Sequence, residues 1–428
     1  MPPGSVDLTL VPAAYNAWHS EGGGVTAPDF AGCELTFLDV RRSKGTVVAA
    51  MVNLARISIK VLSSIKVPPS LVVVVACSSL AAGQIDSYPH NAVTCERCHN
   101  TPSKFGGSPM TVERVGQSSA GKFVPSSEGG IHHRHGESSQ SSDPTDQISG
   151  ERVSLNLLGD GYIEAIDSRD IEQNAKKQRQ TNLRIAGVAV NAPLLEASGS
   201  PVKIQTGRFG WKSQHSSLMS SCADSLRNEL GIRNRLYPDE YPTHALTDSP
   251  TPLDIPNATT HKTELESFVN EIRHAPPPAR DDGLAATPDA QAGERLFEEI
   301  GCAVCHVATY KALKPGTRIN GGTFKIPKFI GNKVIHPYSD FLLHDVGTAD
   351  GIPQAAKPEY LDQSTANKFR TPPLWGLRFR YGIMHDGNSP GTDQAIERHG
   401  GEAMAVREHY AHLTAVEKKQ LQQFLDSL

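Results

Sequence analysis

The chain has 428 residues, room for two or three domains of ordinary size. Its 42 basic and 46 acidic residues nearly balance, which leaves no electrostatic footprint for nucleic acid. A total of 37 Gly and 30 Pro points to many loops and a modest share of regular structure.

In chain order, the first readable feature lies at 51–83. Arg56, Lys60 and Lys66 precede the apolar run 71–76, and small residues follow, which is the order of a secretory signal. The run is too short to cross a bilayer, which takes ~20 residues. Residues 1–50 then read as a disordered upstream extension, with Met51 as the start. Two cleavage sites fit. One lies before Cys77 in Val74-Val75-Ala76-Cys77, a lipobox-like run whose Cys would be acylated; the other follows Ala81. Either one predicts a chain in the periplasm or cell envelope of a bacterium; cleavage before Cys77 would add a lipid there as its only attachment to the membrane.

Residues 84–274 read as an N-terminal domain, with a Ser-, Gly- and His-rich loop at 117–150 and a Pro-rich loop at 241–260. Leu265, Phe268, Val269 and Ile272 recur at helical spacing and predict a helix over 262–274. Pro276, Pro277 and Pro278 stop it, so 275–288 reads as a linker to a second domain, 289–428. There Ala292, Leu296, Phe297 and Ile300 line one helix face. At the chain's end Thr414 and Glu417 predict a capping box ahead of the stripe Leu421, Phe424, Leu425 and Leu428. No strand alternation is read anywhere.

Seven cysteines are present, and four of them fall in 94-TCERCHN-100 and 301-GCAVCHV-307. The others, Cys33, Cys77 and Cys222, are isolated and do not suggest a disulfide framework. In Cys-x-x-Cys-His two thiols lie one helical turn apart and an imidazole follows at once. Both sulfurs can add to the vinyl groups of one haem while the imidazole reaches its iron. The pairs are too far apart for a zinc ribbon, whose second Cys pair lies ~15–20 residues on, and no βαβ pattern supports a thioredoxin-like site. The spacing therefore predicts two covalently attached haem c groups, through Cys95 and Cys98 with His99, and through Cys302 and Cys305 with His306. For the opposite face of the first iron the candidates are Met110, His132, His133 and His135. For the second they are His336, His344, Met384, His385, His399 and Met404.

The stretches HPYSDFLLHDVG (336–347), FRTPPLWGL (369–377), MHDGN (384–388) and AIERHGGEA (395–403) resemble the di-haem oxidoreductase family. LLGDGYIEAI (157–166) and GRFGWKSQHSSL (207–218) match its signatures in the first half. The family carries both peroxidase and thiol oxidoreductase labels and is similar to bacterial di-haem cytochrome c peroxidases. The resemblance implies a mainly α fold, two cytochrome c-like helical domains with long irregular loops. It also implies His399 as the distal ligand of the second haem, His133 as that of the first, and Trp211 as a residue on the path between haems. One departure weakens the peroxidase reading. Ser221 stands where the peroxidases carry a Gln, and Glu229 is offset from their expected acid, which costs a contribution of roughly 10²–10⁴-fold to O–O cleavage. The function that follows is an exported di-haem c-type cytochrome doing electron transfer or oxidoreductase chemistry. Its partner would be a small redox protein or a quinol-linked donor. The alternatives are a hydrogen peroxide reductase and a thiol oxidoreductase, the latter with only Cys222 as a thiol in the mature body.

Overall fold

The computed structural model describes residues 35–42, 45–52, 94–108, 110–125, 130–132, 148–180, 184–238, 254–260 and 262–428. The expected signal segment beyond Val52, the lipobox Cys77 and the candidate ligand His133 lie outside the described residues. The chain divides into a unit Met1–Ala82 and a unit Gly83–Leu428. In the first, Leu35–Arg42 pairs antiparallel with Gly45–Val52. Everything below concerns the second.

Nine α-helices occur among the described residues: α1 (Asp160–Glu164), α2 (Ser168–Gln178), α3 (Leu218–Leu230), α4 (Glu264–His274), α5 (Asp282–Ala285), α6 (Pro288–Glu299), α7 (Thr392–Glu397), α8 (Met404–Ala411) and α9 (Ala415–Ser427). The mainly α expectation is overturned, because these helices alternate with five small antiparallel sheets. The largest is built on Thr111–Ser119, which pairs with Lys122–Pro125, Ile131–His132 and Ile148–Val153. The other four are two-stranded, with strands of two or three residues. Strands that short hold too few residues to display a period of two. Leu343–His344 pairs with Phe369–Arg370 across a long stretch of chain, so tertiary contact and not local pattern makes that strand.

The helices form for local reasons. Thr263 caps α4 in a capping box, its Oγ1 accepting from Glu266 N at 3.1 Å while Thr263 N donates to Glu266 Oε2 at 3.0 Å. Thr414 and Glu417 repeat the device at α9. Thr287 caps α6, and Pro288 at its first position uses a site that needs no N–H. Leu265, Val269 and Ile272 of α4 are buried, as are Leu421, Phe424 and Leu425 of α9. Residues 275–288 include α5 and are tied down, with Asp281 N donating to Ser427 O and Arg378 Nη2 to Ala279 O.

The core that positions the second motif joins Phe297 of α6 and Ile300 just after it, Tyr338, Leu374 and Leu377, Val406 and Tyr410 of α8, and the apolar stripe of α9. Cys302, Ala303, Val304 and Cys305 pack directly against it. Helices α6 and α9 touch at Gly293, where a Cβ would meet Gln420 O at 2.0 Å. Only a glycine permits that approach.

Candidate functional site

Helix α6 delivers the second motif. The chain leaves it through Gly301 at φ 101°, and Cys302–Val304 form one 3₁₀ turn in which His306 N donates to Cys302 O at 3.0 Å. The turn brings Cys302 and Cys305 to one cavity wall. His306 and His399 line the same cavity, which is otherwise mostly apolar through Ile185, Phe297, Leu374, Leu377 and Leu425. Both imidazoles are oriented from behind. His306 Nδ1 donates to Tyr338 O at 3.1 Å and His399 Nδ1 to Ala395 O at 2.7 Å, which leaves Nε2 of each ring as a free lone pair. Burial pushes His306 down to about 4, with the nearby His399 adding to the effect. Burial lowers His399 as well. Both rings are therefore neutral near pH 7, the form that ligates a metal.

The other candidates for this cavity separate by position. His336 is exposed and bonded to Thr309 Oγ1, and Met404 is 45% exposed. His344 is buried with both nitrogens engaged, Nε2 at 2.8 Å from Asp340 Oδ2 and Nδ1 at 2.9 Å from Glu402 Oε2. Met384 and His385 line the cavity with His399.

The first motif repeats the local geometry. Cys95–Arg97 form a 3₁₀ turn, His99 N donates to Cys95 O at 2.9 Å, and His99 Nδ1 donates to Gly106 O at 3.2 Å. Burial lowers His99 below its usual value. Met110 sits with Sδ 3.8 Å from Cys98 Sγ. A smaller cavity beside this motif is lined by Thr101, Gly107 and Leu155.

Trp211 lines both cavities, as do Arg380 and Met384. Its indole N–H donates to Val153 O at 2.8 Å, and its ring meets His385 edge to face with centroids 6.3 Å apart. Trp211 and His385 occupy equivalent places in two hairpins of one backbone shape. Phe209 pairs with His215 as Ile383 pairs with Ser389. Gly210 at φ 78° matches Met384 at φ 71°, and Ser213 at φ 50° matches Gly387 at φ 70°. Each hairpin then enters a helix, α3 after Ser217 and α7 after Gly391, with the same offset throughout. In that alignment His399 corresponds to Ser225. At that offset the two segments share no residue, so the repeat is legible in backbone angles and not in letters.

Sequence reasoning missed the roles of Asp340 and Glu402, which clamp His344 beside Cys305. Cys305, Asp340 and His344 bring their ligand atoms within 4.8 Å of one another. The signal was present in the stretch HPYSDFLLHDVG, where Asp340 and His344 stand four residues apart. Ser221 and Glu229 lie on α3, where Glu229 Oε1 is 3.8 Å from Arg114 Nη2. No helix among the described residues is long and apolar enough to cross a membrane.

A family model for di-haem oxidoreductases matches residues 132–428. No match was found among the curated proteins. Among solved structures, the di-haem peroxidase BthA of Burkholderia thailandensis is similar at 12% identity and a TM-score of 0.35, over 90% of each chain. A hydrazine synthase chain of Kuenenia stuttgartiensis is 21% identical at a TM-score of 0.23, covering 38% of this chain and 55% of that one. A MauG-like protein associated with microbial copper homeostasis is 20% identical at a TM-score of 0.24, covering 40% and 58%. The chain thus spans little more than half the length of these last two.

Proposed function

From the premise that the chain belongs to the di-haem oxidoreductase family, we propose that it is an exported c-type cytochrome carrying out one-electron oxidoreductase chemistry. Membership implies two haem groups, and the residues fit them. Each Cys-x-x-Cys-His run offers two thiols and a neutral imidazole with Nδ1 held by a backbone carbonyl. In this reading Cys95 and Cys98 hold one haem with His99 as ligand, and Cys302 and Cys305 hold the other with His306. When bound, each haem supplies a one-electron couple at its iron. The protein's part is to fix the ring nitrogens, to keep water from the second site with an apolar wall, and to set Trp211 between the two cavities. The observation that carries the reading is the pair His306 and His399, both neutral, both anchored through Nδ1, and both on the cavity that Cys302 and Cys305 line. His399 would accordingly be the second residue to hold that iron.

A peroxide-reducing role is the second reading, and one observation favours it. The first half carries Ser225 where the second carries His399, so α3 supplies no imidazole at the matching position. A small redox protein or a quinol-linked donor in the periplasm or cell envelope would supply the electrons.

Denaturing mass spectrometry of the purified protein should show the polypeptide plus two haems. One haem or none defeats the reading. The ferric spectrum then divides the two roles. Two low-spin haems support electron transfer, and one high-spin haem with turnover of hydrogen peroxide supports the peroxidase.

A further inference from the structure

We infer that His385 is the second half of the electron path between the two haem sites, so that the path consists of two rings, Trp211 and His385, contributed by the two equivalent hairpins. The inference rests on the di-haem reading above and assigns a positioning role to a residue of the second half.

Three observations converge on it. First, Trp211 and His385 hold the same place in the repeated hairpin, and these two equivalents meet each other at 6.3 Å, edge to face. Second, one residue bonds both. Val153 O accepts from the Trp211 indole at 2.8 Å, and Val153 N donates to His385 O at 2.8 Å. The two hairpins are thereby tied through a single residue. Third, the His385 ring is held in place. It stacks on Phe369 with centroids 3.7 Å apart and planes inclined by 18°. Phe369 is held too, because Lys212 Nζ sits 3.8 Å from its ring centre and donates to the carbonyls of Ala366 and Lys368. Arg370 N and Nε donate to Trp211 O and Gly210 O, which pins the first hairpin from the strand that carries Phe369.

His385 lines the cavity of the second motif, while Trp211 lines that cavity and the one beside the first motif. Tunnelling probability falls more steeply across an empty gap than through bonded or closely packed atoms. A rigid ring in contact with Trp211, on the second cavity's own wall, therefore raises the coupling between the sites. The step is simple in its balance. One electron leaves one iron, which goes from ferrous to ferric, and arrives at the other, which goes from ferric to ferrous. No bond forms or breaks, no proton moves, and neither ring is oxidised.

The test uses the haem-loaded full chain. Haem content is measured first, and each midpoint potential is determined by spectroelectrochemical titration. One-electron photoreduction by a flavin then gives the rate at which the electron equilibrates between the two haems. His385→Leu should keep two haems and both potentials and slow equilibration by about tenfold. His385→Phe, which keeps an aromatic ring on Phe369, should hold the rate close to that of the parent. Trp211→Leu should slow it too, and the double variant should be no slower than the slower single variant, as expected for two members of one path. An unchanged rate in His385→Leu with both haems present overturns the inference. So does a switch of the second haem to high spin in that variant, because His385 would then be a ligand. A parent protein holding fewer than two haems sinks the di-haem reading instead, and haem content reveals it before any rate is measured.

Discussion

At the scale of single residues, the second cavity shows why a histidine's role depends on what its far nitrogen does. His336, His344, His385 and His399 are chemically identical candidates in a sequence. His336 is exposed, and His344 is clamped between two carboxylates. Burial works against a charged His344, but Asp340 and Cys305 together outweigh it and raise the imidazole well above its usual value, and both ring nitrogens are already engaged by carboxylates. His399 is neutral and anchored at Nδ1 only. The sequence pointed to it through resemblance alone. The anchor, Ala395 O, is visible only once α7 has formed and brings residue i−4 beneath the ring. Replacing His399 with Gly should open a coordination position and give a high-spin ferric species that binds cyanide. His399→Met should stay low-spin with a higher potential, because Met favours the ferrous state. Optical and redox titration checks both. An unchanged spectrum in His399→Gly would move the assignment to Met384, which lines the same cavity.

At the scale of elements, helices α4, α6 and α9 were legible because their caps and stripes are local, and strands were not because most exist only as pairs. Thr111–Ser119 is the exception, a nine-residue strand whose alternation is weak since only Gly116 along it is fully buried. The α6–α9 contact gives one prediction. Gly293→Ala must push Gln420 O away from 2.0 Å, and overpacking of this kind costs about 1–3 kcal/mol. Denaturant unfolding should show a lower midpoint for Gly293→Ala. In contrast Gly283→Ala, whose Cβ would find only Asp281 Oδ1 at 3.4 Å, should stay close to the parent. The hairpin that carries His385 gives a second. Burial tends to raise Asp386, but the bonds from Arg398 Nη1 and Nη2, the Asn388 N–H and the nearby charges together outweigh it and hold the carboxyl at about 2 against its ordinary 3.8. A depressed folded value means the unfolded chain takes up its proton first. The clip's stabilisation is therefore complete above about pH 4 and is lost as pH falls toward 2. Discounted for the partial exposure of Arg398, it amounts to roughly 1 kcal/mol. Asp386→Asn should remove that part of the acid sensitivity, read as the slope of stability between pH 4 and 2.

At the scale of the whole molecule, the sequence reads the Pro-rich segment 275–288 as a break between halves, but it shows nothing of what joins the residues on either side of it. The ties are buried and polar, and all but the one between Glu164 and Leu218 join partners more than a hundred residues apart. Arg152 Nη2 meets Asp350 Oδ2 at 2.6 Å with side chains 4% and 5% exposed, and Arg152 also donates to Gln354 Oε1 and Ile352 O. Gln178 bridges Val304 O and Asp340 Oδ2. Glu164 receives Asn320 from beyond α6 and, within the first half, Arg273 from α4 and Leu218 N from α3. No local pattern encodes such pairs, since a charged residue bound for the interior looks in the sequence like one bound for the surface. Their energetic consequence is asymmetric. Removing one partner strands a buried charge, which costs about 3–5 kcal/mol, while the intact pair adds little over an apolar substitute. Arg152→Leu should therefore destabilise strongly by leaving Asp350 with Lys212 at 3.6 Å as its remaining cation. The double change Arg152→Leu with Asp350→Leu should recover much of the loss. Because Asp350 lies beyond the linker and Arg152 before it, the two halves should melt in one transition in the parent. Calorimetry of Arg152→Leu should show that transition shifted down or split in two, and a parent that already melts in two steps would mean that these ties do not couple the halves.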